Sequence, residues 1–258
     1  MDVPLVALIT AGTAGLGAAT ARLFATTGMR VVVNYNNDRS RAAALVAELE
    51  SLSPLQRPAD GSSKADFVAI QADLSRRGDI GRLVSEAASA MGDRLDVVFS
   101  NGGWTQVRDI TNLDDNVDEA DWDRTYTMNV KSHLWLMHAA KIFLDASEGV
   151  FITTASLAGV KVSGSSLAYA VSKAAQIHLV KGLALIAAPK IRVNSVSPGL
   201  LLTDWGLKFP LELQEEIRER TKLKRLATVE DVAEQVLCFV RCKSVTGANA
   251  VIDGGMVL

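Results

Sequence analysis

The chain has 258 residues, a length at which a sheet covered by helices on both faces commonly forms one domain. Its hydrophobic content is 48%, and 27 Lys and Arg residues nearly balance 29 Asp and Glu residues, which predicts a well-packed globular protein and argues against nucleic acid as a partner. The first apolar run, residues 5–9, is too short for a signal-peptide core or a membrane span, so we expect a cytoplasmic protein without a membrane partner.

Short apolar, β-branched runs alternate along the chain with longer helical stretches. We predict strands at residues 5–9, 30–34, 66–71, 97–100, 149–153, 191–196 and 248–252. We predict helices at residues 17–27, 39–52, 77–91, 121–144, 168–187 and 228–240, and a surface loop at 51–65. Strict alternation of strand and helix predicts an α/β fold: a doubly wound, seven-stranded parallel sheet with helices on both faces, in a single domain over 1–258.

A glycine-containing turn connects the first predicted strand to the first helix, and its sequence is Thr10-Ala11-Gly12-Thr13-Ala14-Gly15-Leu16-Gly17. Glycines let the backbone approach a pyrophosphate closely, and the free N–H groups of the new helix favour negative charge. Glycine also serves any tight strand-to-helix connection, so the turn alone is weak evidence. Its position between a strand and a helix favours dinucleotide binding.

The end of the second predicted strand bears on the choice of dinucleotide. An NAD-specific site usually offers an acid to the adenosine ribose there, but this chain has Tyr35. Asn36, Arg39, Ser40 and Arg41 follow and are able to bind a 2′-phosphate, which favours NADP(H) over NAD(H). The alternative is that Arg39 and Arg41 are only the solvated start of the next helix.

Tyr169 and Lys173 are four residues apart in a predicted helix, so they share one face. A nearby ammonium favours the phenolate form of a phenol, which makes Tyr169 a candidate acid/base. A single tyrosine and lysine at this spacing also occur by chance. Ser156 strengthens the case for an active site. It follows the fifth predicted strand, and the carboxyl ends of parallel strands gather reactive groups.

Over nearly its whole length the chain resembles the short-chain dehydrogenase/reductase family, a group of Rossmann-like, single-domain enzymes. The resemblance lies in the turn 10–17, Asp73-Leu74, Ser100-Asn101-Gly102-Gly103, Asn129, Ser156, Tyr169, Lys173, and the segments 191–199 and 251–255. Two positions depart from the family pattern: Ala11 stands in place of the first glycine, and Gly102 in place of an alanine.

The resemblance implies hydride transfer between a nicotinamide and a ketone, an aldehyde or the corresponding alcohol. Tyr169 would exchange the proton and Ser156 would hold the substrate oxygen. Lys173 would lower the pKa of the phenol and bind the nicotinamide ribose, and Asn129 would anchor a water. With the residues argued above, the predicted cofactor-binding set is Thr10, Gly12, Thr13, Gly15, Leu16, Gly17, Tyr35, Asn36, Arg39, Asp73, Leu74, Asn101, Gly102, Gly103, Tyr169, Lys173, Pro198, Gly199, Leu201 and Thr203.

Substrate contacts in this family come from loops after the later strands. Here those loops offer Ser156, Trp104 and, in an expected lid at residues 203–225, Trp205 and Phe209. The rings of Trp104, Trp205 and Phe209 would form a wall suited to a flat substrate, unless they only pack the lid. The helices 121–144 and 168–187 are apolar on more than one face, which favours a homodimer or homotetramer.

The remaining candidates for chemistry are less promising. His133, His138 and His178 fall in predicted helices, away from the strand ends, so we expect core or surface roles. The two cysteines, Cys238 and Cys242, are four residues apart in one predicted helix and cannot form a disulfide framework or a four-ligand zinc site. We therefore expect a reducing compartment and no metal.

Two alternatives to a carbonyl-reducing enzyme remain open. The first is a non-redox NAD(P)-binding sensor or scaffold, which would need the glycine turn but no proton-transferring residues. The second is a biosynthetic enzyme that uses the same fold for another reaction, such as epimerisation or cyclisation, because a fold does not determine a function. The sequence does not identify the substrate.

Overall fold

The computed structural model describes residues 3–55 and 65–258. Its strands form one parallel sheet in the order β3-β2-β1-β4-β5-β6-β7. The strands are β1 (Val6–Ile9), β2 (Arg30–Tyr35), β3 (Phe67–Gln71), β4 (Val97–Ser100), β5 (Val150–Thr154), β6 (Arg192–Pro198) and β7 (Asn249–Ile252). All seven predicted strands are confirmed, with ends shifted by at most two residues.

Helices cover both faces of the sheet. They are α1 (Gly15–Thr26), α2 (Arg39–Leu52), α3 (Arg77–Ala90), α4 (Glu119–Tyr126), α5 (Ser132–Ser147), α6 (Leu167–Ala187), α7 (Leu211–Arg220) and α8 (Val229–Arg241). On one face, α1, α2 and α8 bury residues such as Phe24, Leu49 and Val236 against Val33. On the other face, α3, α5 and α6 bury Leu83, Leu136 and Val180, among others. The predicted doubly wound fold is therefore confirmed.

The structure differs from the predicted helices in two places. The predicted helix 121–144 is two helices, α4 and α5, joined by the π-helical turn Thr127–Lys131. Helix α7 was not predicted, although its Glu–Arg pairs at helical spacing, such as Glu216 and Arg220, were a usable signal. Of the predicted loop 51–65, residues 51 and 52 belong to α2, and residues 56–64 lie outside the described residues.

Helix α6 is apolar enough to pass for a membrane span by length and composition, with a mean hydropathy of 1.2 over its best window. The core helix of a globular protein passes the same test. Here Val180, Leu183 and Ala187 of α6 are buried in the core cluster that includes Phe151 and Val193 of the sheet. The apolar character of this helix is thus explained in large part by packing.

The strand order places a crevice at the carboxyl edge of the sheet. Strands β2 and β3 lie on one side of β1, and strands β4 to β7 lie on its other side. The connections after β1 and β4 therefore leave in opposite directions, which opens a crevice between them where open α/β sheets bind ligands. The predicted site residues at the ends of β1, β4, β5 and β6 all lie at this edge.

Candidate active site

The glycine turn between β1 and α1 is built so that side chains are excluded from it. A Cβ on Gly12 would lie 2.9 Å from the carbonyl oxygen of Ile9, and one on Gly17 would lie 2.4 Å from that of Ala11. The turn ends at the N-terminus of α1, where Ala14 provides no side-chain cap. The first N–H groups of α1 thus face the crevice without a capping side chain, which suits a pyrophosphate.

Ala11, the first departure from the family pattern, adopts the backbone conformation that favours glycine. Its φ is +47°. The turn therefore keeps a glycine-like backbone path. The left-handed conformation of the alanine destabilises the fold by about 1–2 kcal/mol through steric repulsion.

We expect Ala11→Gly to stabilise the fold by about 0.5–1 kcal/mol, because the relief of that strain exceeds the extra entropy of glycine in the unfolded chain. Chemical denaturation of both proteins measures the difference. Ala43→Gly, at an exposed position of α2, is the matched control and should instead destabilise by about 1 kcal/mol. Equal destabilisation by the two substitutions would contradict the strain at Ala11.

Asn34, which the sequence analysis did not single out, holds the glycine turn in place. It is 1% exposed. Its Oδ1 accepts a hydrogen bond from the backbone N–H of Ala11 at 3.1 Å, and its Nδ2 donates to the carbonyl oxygens of Ile70 and Ala72 at 3.3 and 3.1 Å. One amide side chain in an otherwise apolar strand was the available signal. Asn34 therefore ties the turn to β2 and to the end of β3.

The predicted adenosine-binding residues lie at the ends of β2 and β3. Tyr35 is half-buried, whereas Asn36 and Arg39 are exposed at the start of α2. The carboxylate of Asp73 accepts hydrogen bonds from the Ser75 backbone and hydroxyl at 2.9 and 2.7 Å. Burial raises the pKa of Asp73, but these hydrogen bonds and the charge of Arg76 outweigh it, so the net pKa is lowered. Asp73 is therefore ionised at neutral pH, which suits its predicted role as an acceptor for an adenine amino group.

Thr10 and Asn101 join the carboxyl ends of β1, β4 and β5. The hydroxyl of Thr10 accepts the backbone N–H of Asn101 at 2.9 Å. The amide of Asn101 donates to the carbonyl of Ala11 at 3.3 Å and accepts from the hydroxyl of Thr154 at 2.9 Å. At Gly102, the second departure from the family pattern, a Cβ would lie 2.4 Å from Cδ1 of Leu74, so Leu74 fills the space of the missing methyl group.

The π-helical turn between α4 and α5 carries Asn129, which is fully buried. The side chain of Asn129 accepts the backbone N–H of Trp104 at 2.8 Å and donates to its carbonyl at 2.9 Å. It also donates to the hydroxyl of Ser172 on α6 at 3.0 Å. Single π-turns often occur at functional sites, and this one fixes the loop after β4 against α6.

Lys173 is buried and held by two acceptors. Its exposure is 3%, and its Nζ donates to the carbonyl of Thr154 at 2.8 Å and to Oε1 of Gln176 at 2.9 Å. Burial lowers the pKa of Lys173 to about 7. A Cβ on Gly103 would lie 3.5 Å from this Nζ and 3.3 Å from Oδ1 of Asn129, so Gly103 marks the place where the two predicted catalytic side chains converge.

Gln176 is a second residue that the sequence analysis missed. It lies less than one helical turn after Lys173, is fully buried, and its Nε2 donates to the same Thr154 carbonyl at 3.1 Å. Lys173, Gln176 and Thr154 thus form a closed triangle of hydrogen bonds. A buried glutamine following a lysine at helical spacing was the available signal.

We expect Gln176→Leu to shift the pH dependence of the reaction. A hydrogen bond to a charged group contributes about 1.5–3 kcal/mol, and about 1.4 kcal/mol corresponds to one pH unit. Loss of this acceptor should move the Lys173 limb of the kcat/KM profile to lower pH by about one unit and lower kcat/KM at pH 7 by about fivefold, because the lysine is already half deprotonated at pH 7 in the wild type. Gln235→Leu on α8 is the control. A reduced rate with an unmoved pH profile would assign Gln176 a purely structural role.

Tyr169 lies against Ser156 and Lys173, as predicted. Nζ of Lys173 is 5.7 Å from the centre of the Tyr169 ring. Burial raises the pKa of Tyr169, and a hydrogen bond with Ser156 opposes that rise only in part. The expected lowering of this pKa by Lys173 is therefore not observed in the protein alone, because desolvation of the phenol dominates and Lys173 donates to Thr154 and Gln176.

Ser156 follows β5 and begins the short 3-10 helix Leu157–Gly159. Its Oγ accepts the backbone N–H of Ala158 at 3.1 Å. That bond uses only a lone pair, so the hydroxyl hydrogen, which bonds to Tyr169 in the protein alone, can instead be donated to a substrate oxygen.

We expect Ser156→Ala to lower kcat by about 10²–10³, the usual cost of removing one donor to a developing oxyanion. The dissociation constant of the cofactor should not change. Steady-state kinetics and cofactor titration measure the two effects, with Ser85→Ala at an exposed position of α3 as the control. Wild-type turnover in Ser156→Ala would show that the serine is only a helix cap.

Two of the three predicted aromatic substrate contacts come together beside Tyr169. The ring centres of Trp205 and Tyr169 are 6.4 Å apart, and Phe209 meets Trp205 edge-on at 5.3 Å. Trp104 contacts Arg124 instead, whose guanidinium lies 4.4 Å from the Trp104 ring centre. The predicted wall of three aromatic residues is thus reduced to Trp205 and Phe209, because Trp104 is held by its backbone bonds to Asn129.

The segment after β6 completes the crevice. At Gly199 a Cβ would lie 3.2 Å from Cα of Asp253, and Leu201 packs at the edge of the core beside α1. Cγ2 of Thr203 would be 2.8 Å from a Cβ on Gly15. The predicted nicotinamide-binding segment therefore crosses from β6 to the glycine turn.

His133 is a core histidine on α5, as expected, but its ring contacts the end of a strand. It is fully buried on α5, and its Nδ1 is 2.6 Å from the hydroxyl of Ser100, the last residue of β4. Burial, and then the charge of Lys173, hold the pKa of His133 well below its usual range, so the ring is neutral. His138 and His178 are exposed on their helices. Across residues 3–55 and 65–258, no group of three or more His, Cys, Asp or Glu side chains is placed to hold a metal ion.

Comparisons with known proteins agree with this arrangement. Residues 10–257 match the family model described as enoyl-(acyl carrier protein) reductase. A Streptomyces violaceoruber protein named as ketoacyl reductase 2 of the granaticin polyketide synthase is 34% identical over 253 residues, which are 97% of this chain and 95% of that protein. A solved 7α-hydroxysteroid dehydrogenase, complexed with NADH and 7-oxo glycochenodeoxycholic acid, superposes with a TM-score of 0.86 at 28% identity and covers 97% of this chain and 93% of its own. A short-chain dehydrogenase from Burkholderia cenocepacia in complex with NADP has a TM-score of 0.85 at 31% identity, with 98% and 97% covered.

Proposed function

Because the chain belongs to the short-chain dehydrogenase/reductase family and is an oxidoreductase of the ketoacyl reductase type, we propose that it reduces a ketone or aldehyde to an alcohol with NADP(H) as its preferred cofactor. The observation that carries this proposal is the placement of Tyr169 between Ser156 and the buried Lys173 at the carboxyl edge of the sheet.

The bound dihydronicotinamide supplies the hydride. The Ser156 hydroxyl donates a hydrogen bond to the carbonyl oxygen and holds it beside Tyr169. Tyr169 protonates the oxygen as negative charge develops there. General acid catalysis of this kind typically contributes about 10²–10⁴-fold. The raised pKa of Tyr169 keeps the phenol protonated at neutral pH, which suits reduction better than oxidation.

Lys173 and Asn129 support Tyr169. The ammonium of Lys173 has two of its three N–H groups on Thr154 and Gln176, so one remains to bind the nicotinamide ribose. Asn129 holds the loop that contains Gly103 beside Lys173. There it would anchor a water that relays protons between Lys173 and solvent.

The preference for NADP(H) is supported by the residues around the end of β2. Tyr35 stands where an acid would repel a 2′-phosphate, and Arg39 and Arg41 lie in the first turn of α2 beside it. Solved relatives are found with NADH and with NADP, so the family alone does not decide the cofactor.

The assembly is proposed to be a homodimer or homotetramer in the cytoplasm. Exposed apolar side chains on α5 and α6, which include Leu134, Ile142, Leu185 and Ile186, favour burial against a second copy. Both cysteines are free thiols, in keeping with a reducing compartment.

The proposal is tested by following cofactor absorbance with NADPH and NADH over a panel of carbonyl compounds. The panel should contain β-ketoacyl thioesters, steroid ketones, sugars, quinones and smaller ketones, and the Trp205–Phe209 pair favours flat or cyclic members. We expect turnover, with a higher specificity constant for NADPH. A much higher constant for NADH would overturn the cofactor preference. Tight cofactor binding without turnover across the panel would favour a non-redox sensor.

A further inference from the structure

Three consecutive residues, which we call the strap (residues 203–205), contact three separate parts of the crevice. The Thr203 methyl packs against the glycine turn at Gly15. The carboxylate of Asp204 accepts a hydrogen bond from Nη1 of Arg41 at 2.9 Å. The Trp205 ring lies 6.4 Å from that of Tyr169. The strap thus links the adenosine end of the crevice to the reacting end.

Arg41 is shared between two carboxylates. Besides the strap residue Asp204, its Nε lies 3.6 Å from Oδ2 of Asp38. Asp38 is also the N-cap of α2, where it accepts the backbone N–H of Arg41 and the hydroxyl of Ser40. The Asp38 carboxylate is therefore committed to the start of α2, whereas the Asp204 side chain is 73% exposed and reaches Arg41 from the strap.

We infer that Asp204 tunes the choice of cofactor by competing with the 2′-phosphate of NADP(H) for Arg41, an inference that rests on the proposed function. With NAD(H), the Arg41–Asp204 pair stays intact. With NADP(H), the phosphate takes Arg41, because a dianion with three acceptor oxygens is a stronger partner than one exposed carboxylate. The Arg41–Asp204 pair must therefore break before the phosphate binds, which weakens NADP(H) binding.

The expected size of the effect of Asp204 on cofactor affinity follows from the exposure of the Arg41–Asp204 ion pair. Both side chains are at least half exposed, so water and salt screen their interaction. We therefore expect Asp204 to change the NADP(H) to NAD(H) affinity ratio by about two- to fivefold, and the change to shrink at 0.5 M salt.

The test is a fluorescence titration of the full chain with NADPH and NADH, for the wild type, Asp204→Asn, Arg41→Ala and the double variant. Asp204→Asn should tighten NADPH binding about two- to fivefold and leave NADH binding unchanged or slightly weaker. In the Arg41→Ala background the same substitution should have little effect. Glu86→Gln, which removes an exposed ion pair with Arg82 on α3, is the matched control and should change neither affinity.

Three results would overturn the inference: an unchanged affinity ratio in Asp204→Asn, the same gain in the Arg41→Ala background, or an equal gain from Glu86→Gln. The proposed cofactor preference fails separately, if the wild type binds NADH much more tightly than NADPH. In that case a shift of Asp204→Asn toward NADPH would still support the role of Asp204. If neither cofactor binds, both proposals are wrong.

Discussion

Tyr169→Phe is expected to lower kcat by about 10³-fold or more while it leaves the dissociation constant of NADPH within about twofold, since acid catalysis alone is worth about 10²–10⁴-fold. The substitution removes the proton donor but keeps the ring, which contacts Trp205 and lies beside Lys173. The predicted cofactor contacts at the glycine turn do not depend on the hydroxyl group. Steady-state kinetics with NADPH and fluorescence titration measure the two quantities.

Tyr126→Phe is the control for that substitution. Tyr126 is the last residue of α4, and its ring stacks on Trp122 at 6.4 Å. Removal of its hydroxyl should leave both kcat and NADPH binding unchanged. Parallel losses of NADPH binding and kcat in Tyr169→Phe would show that Tyr169 serves cofactor binding instead of proton transfer.

Lys173→Met is the second substitution with a large expected effect, and it separates catalysis from stability. Activity should fall by about 10²-fold or more, because the ammonium near Tyr169 and its contact to the ribose are lost. Since the pKa of Lys173 is about 7, the lysine loses its proton as pH rises through 7. In the wild type, kcat/KM for reduction should therefore decline above about pH 7, and Lys173→Met should lack this limb.

The same pKa makes the stability of the wild type depend on pH. In the unfolded chain Lys173 titrates near its ordinary pKa of about 10.4, and in the folded protein near 7. Between these values the unfolded state binds more protons than the folded state, so the free energy of unfolding rises with pH from about 7 to about 10. Below pH 7 the cost of burying the charge is fully present.

Denaturant unfolding at pH 6, 7, 8, 9 and 10 tests this linkage. The free energy of unfolding of Lys173→Met should rise less steeply above pH 7 than that of the wild type. Lys181→Met, at an exposed position of the same helix, should keep the wild-type slope. Identical slopes in the wild type and Lys173→Met would mean that the pKa of Lys173 is not lowered.

Burial determines the protonation states of Tyr169 and Lys173 at this site. Desolvation raises the pKa of Tyr169 and lowers the pKa of Lys173, so at neutral pH the phenol is protonated and the lysine is only partly charged. His133, buried and neutral beside them, adds no positive charge. A protonated tyrosine is the form that would donate to a carbonyl oxygen in the proposed reduction.

The alternation of strands and helices, the glycine turn and the pairing of Tyr169 with Lys173 could be predicted from the sequence alone. Each depends on local properties: the period of apolar residues, the conformational freedom of glycine and the pitch of one helix. Ser156 could be placed because a strand end is recognisable from the residues that precede it. These features determined the fold and three of the four predicted catalytic residues.

Only the tertiary structure decided the contacts between elements that are distant in sequence. Asn34 reaches the glycine turn, Gln176 and Thr154 meet at Lys173, and no local pattern encodes these hydrogen bonds because they depend on how packed elements face one another. Likewise, the π-turn around Asn129, the removal of Trp104 from the aromatic wall and the reach of the strap to Arg41 follow from packing. The pKa of Tyr169 is the clearest case: spacing predicted a lowered value, and burial raises it, since desolvation is a property of the folded environment and not of the motif.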